Sequence, residues 1–98
     1  MKVNIQAVNF NVDRKLLDFT NSRLEKLEKF YEKVISIDVF FKVENTSDKE
    51  NKQVDIKLAI PGEDLVVKKV GKSFEEGVDT ATDSLERLLI RKKEKSRD

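Results

Sequence analysis

Four stretches of the chain show the pattern of β-strands, in which hydrophobic residues recur at every second position. This alternation predicts strands over roughly residues 2–10, 35–44, 54–60 and 65–70. The polar run at residues 45–52 predicts a loop, and Pro61-Gly62 predicts a tight turn, because proline presets a negative φ and glycine accepts a positive one. In the two central strands, the residues predicted to face the core are Ile37, Val39, Phe41, Val43, Val54, Ile56, Leu58 and Ile60.

Two longer stretches repeat hydrophobic residues every three or four positions, which is typical of helices with one buried face. The first helix is predicted to begin at Asp13, a favourable N-cap residue, and to extend to about Lys33. The second opens with a capping box of Ser73 and Glu76 and extends to about Lys95. The predicted buried stripes are Leu16, Leu17, Thr20, Leu24, Leu27 and Tyr31 in the first helix, and Phe74, Val78, Ala81, Leu85, Leu88 and Leu89 in the second.

The predicted element order is therefore βαβββα. Each strand has one hydrophobic row and each helix one hydrophobic stripe, so the simplest fold is a two-layer α+β domain: a four-stranded mixed sheet with two helices on one face. The first two strands are parallel if they are neighbours, and the two hairpins make the other pairs antiparallel. With 98 residues, we expect a single domain over residues 1–95 and a short C-terminal tail over residues 96–98.

The composition argues against several kinds of chemistry. The chain contains no cysteine and no histidine, so thiolate nucleophiles, cysteine-ligated zinc and the commonest acid–base group are missing. No phosphate-binding or nucleophile motif is present, and we expect neither an enzyme nor a cofactor. Asp79 and Asp83 beside Glu76 are conceivable metal ligands, but an acidic helix surface explains the same residues. No hydrophobic run approaches the roughly 20 residues that span a membrane, so a cytoplasmic protein is expected.

The charged residues are numerous and unevenly distributed. Lysine and arginine number 20 and aspartate and glutamate 19, giving a net charge of +1. On a helical wheel, basic residues gather on one flank of each predicted helix: Arg23, Lys26, Lys29 and Lys33 on the first, and Arg87, Arg91 and Lys95 on the second. Two interpretations are open. The flanks are solvated surfaces whose charges are balanced by i,i+4 pairs. Alternatively, they form a basic stripe that binds the phosphates of a nucleic acid, because polyanion binding depends on locally clustered lysine and arginine rather than on the net charge. In the second interpretation we expect the two flanks to converge into a single basic groove.

Four segments, taken in order, resemble the ribosome hibernation-promoting factor family, also called ribosome-associated inhibitor A or ribosomal subunit interface protein. They are VDRKLLDF (12–19), RLEKLEKF (23–30), VIS (34–36) and DSLERLL (83–89). The resemblance implies a fold similar to double-stranded-RNA-binding domains. It also implies binding to the small ribosomal subunit in the mRNA and tRNA channel, which silences ribosomes under stress or in stationary phase. The chain is similar to the short form of this family.

The resemblance also implies which residues bind rRNA. The family's basic positions correspond to Arg23, Lys26, Lys29, Arg87, Arg91 and Lys95. We add Lys33 on the first basic flank, and Lys92 and Lys93 as substitutes for a lysine that the family usually has where this chain has Ser84. Leu88 and Ile90 are also more hydrophobic than is usual in the family. The implied partners are the small subunit and its rRNA, and a separate ribosome modulation factor; we expect the free protein to be monomeric, without membrane contact.

Two other functions remain open from the residues alone. An exposed sheet face or an edge strand, with Phe40 or Ile90 as an anchor, would suit a protein–protein interaction module. A general double-stranded-RNA binder would use the same basic flanks without preference for ribosomes.

Overall fold

The computed structural model describes residues 2–95, and its element order is the predicted one. The elements are β1 (Lys2–Ala7), α1 (Arg14–Phe30), β2 (Ser36–Val43), β3 (Lys52–Ile60), β4 (Glu63–Gly71) and α2 (Phe74–Lys95). The strands form one sheet in the order β1-β2-β3-β4, with β1 parallel to β2 and both hairpins antiparallel. The predicted βαβββα fold is therefore confirmed. The predicted tail at residues 96–98 lies outside the described residues.

The core lies between the sheet and the two helices. Alternate residues of β2 and β3 point toward the helices and are almost completely buried, as are the central residues of both helix stripes. The ring of Phe74, at the start of α2, packs edge-on against Phe41 of β2, with centroids 5.1 Å apart, and stacks on Phe10 at 5.3 Å. The first turn of α2 is thus anchored to the end of the sheet where β2 finishes.

The local signals for helix starts and for the hairpin turn are also confirmed. The Asp13 carboxylate accepts a hydrogen bond from the Leu16 backbone N–H at 2.8 Å, and the Ser73 hydroxyl accepts one from the Glu76 N–H at 3.1 Å. Each bond satisfies one of the N–H groups that lack a partner inside the helix. Gly62 has a φ of +80°, the conformation for which the turn requires glycine.

Several predicted details are wrong. The predicted loop ended at Lys52, but β3 already begins there because Lys52 pairs with Val43, and β4 begins at Glu63, two residues earlier than predicted. The first strand ends at Ala7 rather than Phe10, because the chain turns at Asn9, which has a φ of +65°. The first helix ends at Phe30 rather than Lys33, since Tyr31 already has extended backbone angles. Val43 is 46% exposed rather than part of the core. It lies at the end of β2, past Phe41, the last residue that pairs with β1, and so lacks a neighbour on that side.

Candidate nucleic-acid interface

The two helices run in the same direction across the sheet, and this places their basic ends together. Arg23 in the middle of α1 contacts Asp79 near the start of α2, and Phe30 at the end of α1 contacts Lys93 near the end of α2. The β3–β4 turn at Pro61-Gly62 lies at this same end of the sheet. We call it the basic end. All nine candidate RNA-binding residues lie in the helix layer or directly after α1, and most of them are at the basic end.

One group of cations surrounds the last turn of α1. Lys29, Lys33 and Lys93 line a shallow pocket together with Phe30, Tyr31 and one acidic residue, Glu32, and we call the three lysines with Phe30 the Phe30 cluster. The Lys93 ammonium donates a hydrogen bond to the Phe30 carbonyl oxygen at 3.0 Å and lies 4.5 Å from the centre of the Phe30 ring. A lysine at a helix C-terminus also interacts favourably with the helix dipole. Lys93 therefore joins the ends of the two helices, while Lys29 and Lys33 remain exposed to solvent.

A second group lies on the other flank of α2, beside β4. Arg91, Lys92 and Lys95 surround Leu65 and Leu88, and we call this group the β4-side cluster. Lys92 forms an ion pair with Glu63 at the start of β4. One turn earlier, Arg87 donates a hydrogen bond to the Ser84 hydroxyl at 3.2 Å. Ser84 thus supports a neighbouring arginine.

The groove between the helices is not the single basic groove expected from the sequence. The Arg23 guanidinium donates to the Asp79 carboxylate at 2.7 Å and lies 4.4 Å from the centre of the Phe19 ring. Lys26 shares a pocket with Asp83 and Glu86. The basic flank of α1 therefore faces the acidic flank of α2, and the basic flank of α2 faces the other way. The cations instead form two clusters, on either side of the end of α2.

Sequence reasoning missed two partners of these cations. Phe30 had no predicted role, and Glu63 was not predicted to pair with Lys92. Both contacts join residues far apart in the chain, so no local pattern indicates them. Across residues 2–95, no salt bridge engages Lys26, Lys29, Lys33, Arg87, Arg91 or Lys95.

Other kinds of site receive no support from the described part of the chain. No group of three or more acidic side chains within residues 2–95 is arranged to hold a metal ion, and Asp79 is already paired with Arg23. None of the helices in these residues has the length and hydrophobicity needed to cross a membrane.

The fold and this surface define a class of protein: a small two-layer βαβββα domain with its basic side chains gathered at one end of two parallel helices. Comparison with known proteins identifies the family. The chain belongs to the Sigma 54 modulation protein / S30EA ribosomal protein family, whose model matches residues 3–97. This confirms the resemblance found in the sequence.

Individual relatives agree with this assignment. A ribosome hibernation promoting factor of Pseudomonas putida is 30% identical over 95 residues, which cover 97% of this chain and 89% of the relative. The ribosome hibernation promoting factor of Azotobacter vinelandii is 27% identical over 95 residues, covering 97% and 85% of the two chains. Among solved structures, a ribosomal subunit interface protein from Coxiella burnetii has the same fold, with a TM-score of 0.83, 19% identity and coverage of 95% of this chain and 98% of that one.

Proposed function

We propose that the protein is a ribosome hibernation factor that works in the cytoplasm. It binds the small ribosomal subunit in the mRNA and tRNA channel, blocks translation sterically and stabilises inactive ribosomes under stress or in stationary phase. The observation that carries this proposal is the gathering of cations at the basic end of a chain that belongs to a ribosome-associated family. In this proposal the protein catalyses no reaction.

The physical basis of binding is electrostatic. Each lysine or arginine that neutralises an rRNA phosphate releases a condensed counterion, and this release supplies much of the affinity. Such contacts position a protein on RNA without reading the sequence, so specificity comes from the shape of the folded RNA. Two cation clusters on either side of the end of α2 suit phosphates on two RNA segments that approach from different directions.

The contacts inside the protein rank the nine candidate residues. Lys29, Lys33, Arg87, Arg91 and Lys95 are exposed and form no salt bridge within residues 2–95, so we assign them the main phosphate contacts. Arg23 and Lys92 are already paired with carboxylates and should contribute less. Lys26 should also contribute less, because it shares a pocket with the carboxylates of Asp83 and Glu86. Lys93 fixes the two helix ends together, and we assign it a supporting role.

A pair of matched double variants tests the proposal. Lys33→Glu with Arg91→Glu reverses one charge in each cluster, whereas Lys42→Glu with Lys49→Glu makes the same net change at the opposite end of the molecule. In sucrose gradients at moderate salt, we expect the first variant to stop sedimenting with small subunits and the second to sediment normally. Circular dichroism checks that both are folded. Normal binding by the first variant would contradict the assigned site.

The channel itself needs a separate measurement. We expect mRNA with a bound tRNA, preassembled on the small subunit, to exclude the protein, because both would occupy the same space. Simultaneous binding would contradict a site in the channel.

Two further measurements test the alternative function and the second partner. Binding to a plain RNA duplex with the affinity measured for ribosomes would favour the general double-stranded-RNA binder. The same sucrose gradients with a ribosome modulation factor added would test that partner.

A further inference from the structure

The outer edge of β4 is free of a neighbouring strand. Among the described residues β4 pairs only with β3, so every second backbone N–H and C=O along its nine residues faces outward. Val66, in the middle of this strand, is 66% exposed, the highest value among the large hydrophobic residues that are exposed. An open edge of this kind is a template for another strand.

The charges along β4 are arranged so that the strand is complementary to itself. Two acidic residues, Glu63 and Asp64, open it, and two lysines, Lys68 and Lys69, follow after three hydrophobic residues. When two copies pair antiparallel about Val66, Glu63 lies opposite Lys69 and Asp64 opposite Lys68. Each of these opposite-charge pairs occurs twice because of the two-fold symmetry.

Other registers are less favourable. In an antiparallel pair, residues opposite each other lie on the same face of the sheet. The two-fold axis can therefore pass beside Val66, Val67 or Lys68 but not between residues, and moving it by one residue shifts the pairing by two residues. Centring the pair on Val67 places Lys68 opposite Val66, and centring it on Lys68 places two lysines against each other. Only pairing about Val66 sets both lysines against acidic residues.

The contacts that these side chains make within the chain leave room for such pairs. Glu63 binds Lys92 and Asp64 lies 3.6 Å from Lys57, but their side chains are 39% and 51% exposed. Lysines at a sheet edge by themselves usually discourage pairing. Here the two-fold arrangement supplies a carboxylate for each of them, which turns a repulsive edge into an attractive one.

We propose that the β4 edge is a self-association surface, on which a second copy of this chain adds antiparallel about Val66 to form a continuous eight-stranded sheet. The contact is small, so we expect the monomer predicted from the sequence at low micromolar concentration and the dimer as the concentration rises. This proposal does not depend on ribosome binding.

Single-cysteine variants test the register directly, because the natural chain contains no cysteine. In the proposed dimer the two copies of residue 66 face each other with Cα atoms about 4.5–5.5 Å apart, within disulfide range. We expect Val66→Cys to form a disulfide-linked dimer under mild oxidation. Val70→Cys is the matched control: it lies on the same face of β4, and its two copies would be eight residues apart, about 27 Å. Equal cross-linking of both variants would overturn the proposal.

Charge exchange provides a test that does not rely on oxidation. Glu63→Lys with Asp64→Lys, and Lys68→Glu with Lys69→Glu, should each weaken self-association at least tenfold in sedimentation velocity, and an equimolar mixture of the two variants should restore it. Thermal unfolding checks that both variants are folded. If either variant is unfolded, the comparison of Val66→Cys with Val70→Cys tests the contact instead. A wild-type chain that stays monomeric up to about 1 mM, or a mixture that does not associate, would contradict the β4 contact.

Discussion

Phe40 and Phe41 are adjacent in β2 and point to opposite faces of the sheet. Phe41 is fully buried against Phe74, whereas Phe40 is 40% exposed on the face without helices. We predict that Phe41→Ala lowers the free energy of unfolding by about 3–5 kcal/mol, because it removes a large ring from a packed core. Phe40→Ala removes a partly exposed ring from a central strand and should lower it by only about 1–2 kcal/mol. Urea unfolding measures both, and similar losses would contradict the assignment of the two faces.

Arg23 differs from the other candidate RNA-binding residues because its charge is balanced within the protein. Its ion pair with Asp79 is 40–48% exposed, so it should contribute no more than about 1 kcal/mol to stability. We predict that Arg23→Gln with Asp79→Asn, which keeps the net charge, changes the affinity for small subunits less than twofold.

The matched control for Arg23 is Lys29→Gln with Glu25→Gln, which also keeps the net charge. It removes an exposed lysine of the Phe30 cluster, so we expect a loss of several-fold in affinity from the missing phosphate contact. Dissociation constants measured at one salt concentration compare the two variants. A larger loss in the Arg23 variant would reverse the ranking of these two residues.

At the scale of elements, the position of α2 depends on a close contact between Gly77 and β3. A Cβ atom on Gly77 would lie 2.6 Å from Cγ2 of Val54, which is fully buried. Alanine gains about 1 kcal/mol in helix propensity over glycine, but the stiff valine side chain cannot move aside. We therefore predict that Gly77→Ala destabilises the protein by a net of about 1–3 kcal/mol.

A double-mutant cycle identifies the cause of the Gly77 effect. Val54→Ala opens the space that the new methyl group needs, so we expect the two substitutions together to cost less than the sum of their separate costs, by about 1 kcal/mol or more. Strictly additive values in urea unfolding would show that the effect of Gly77→Ala arises elsewhere.

The difference between local interactions and contacts across the fold explains which parts of the fold and of the candidate site the sequence predicts. Asp13, Ser73 and Pro61-Gly62 act on neighbouring backbone groups, so their residue types alone indicate helix starts and a turn. Where α1 ends, and why Val43 is exposed, depends on neighbours in space. For the candidate site, the wheel separates basic from acidic residues correctly within the helices, although Lys33 lies past the end of α1. It contains no information on which flanks face each other, and Arg23 and Asp79 are 56 residues apart.

At the scale of the whole molecule, a net charge of +1 gives little reason to expect strong binding to RNA, whereas the clusters at the basic end do. The salt dependence of binding separates these two views. Each phosphate contact contributes roughly −0.7 to −0.9 to the slope of log affinity against log salt. Five contacts, from Lys29, Lys33, Arg87, Arg91 and Lys95, predict a slope of about −3.5 to −4.5.

This slope means that a threefold rise in potassium chloride, at constant magnesium, weakens binding to small subunits by roughly 50- to 140-fold. Removing one cation from each cluster with Lys33→Gln and Arg91→Gln should reduce the slope by about 1.4–1.8, because two counterions fewer are released. Lys42→Gln with Lys49→Gln changes the net charge equally at the opposite end of the molecule and should leave the slope unchanged. If RNA contacts the basic end, the effect of a lysine on the slope depends on its position in the molecule. Equal changes in the slope for the two variants would mean that the overall charge governs binding instead.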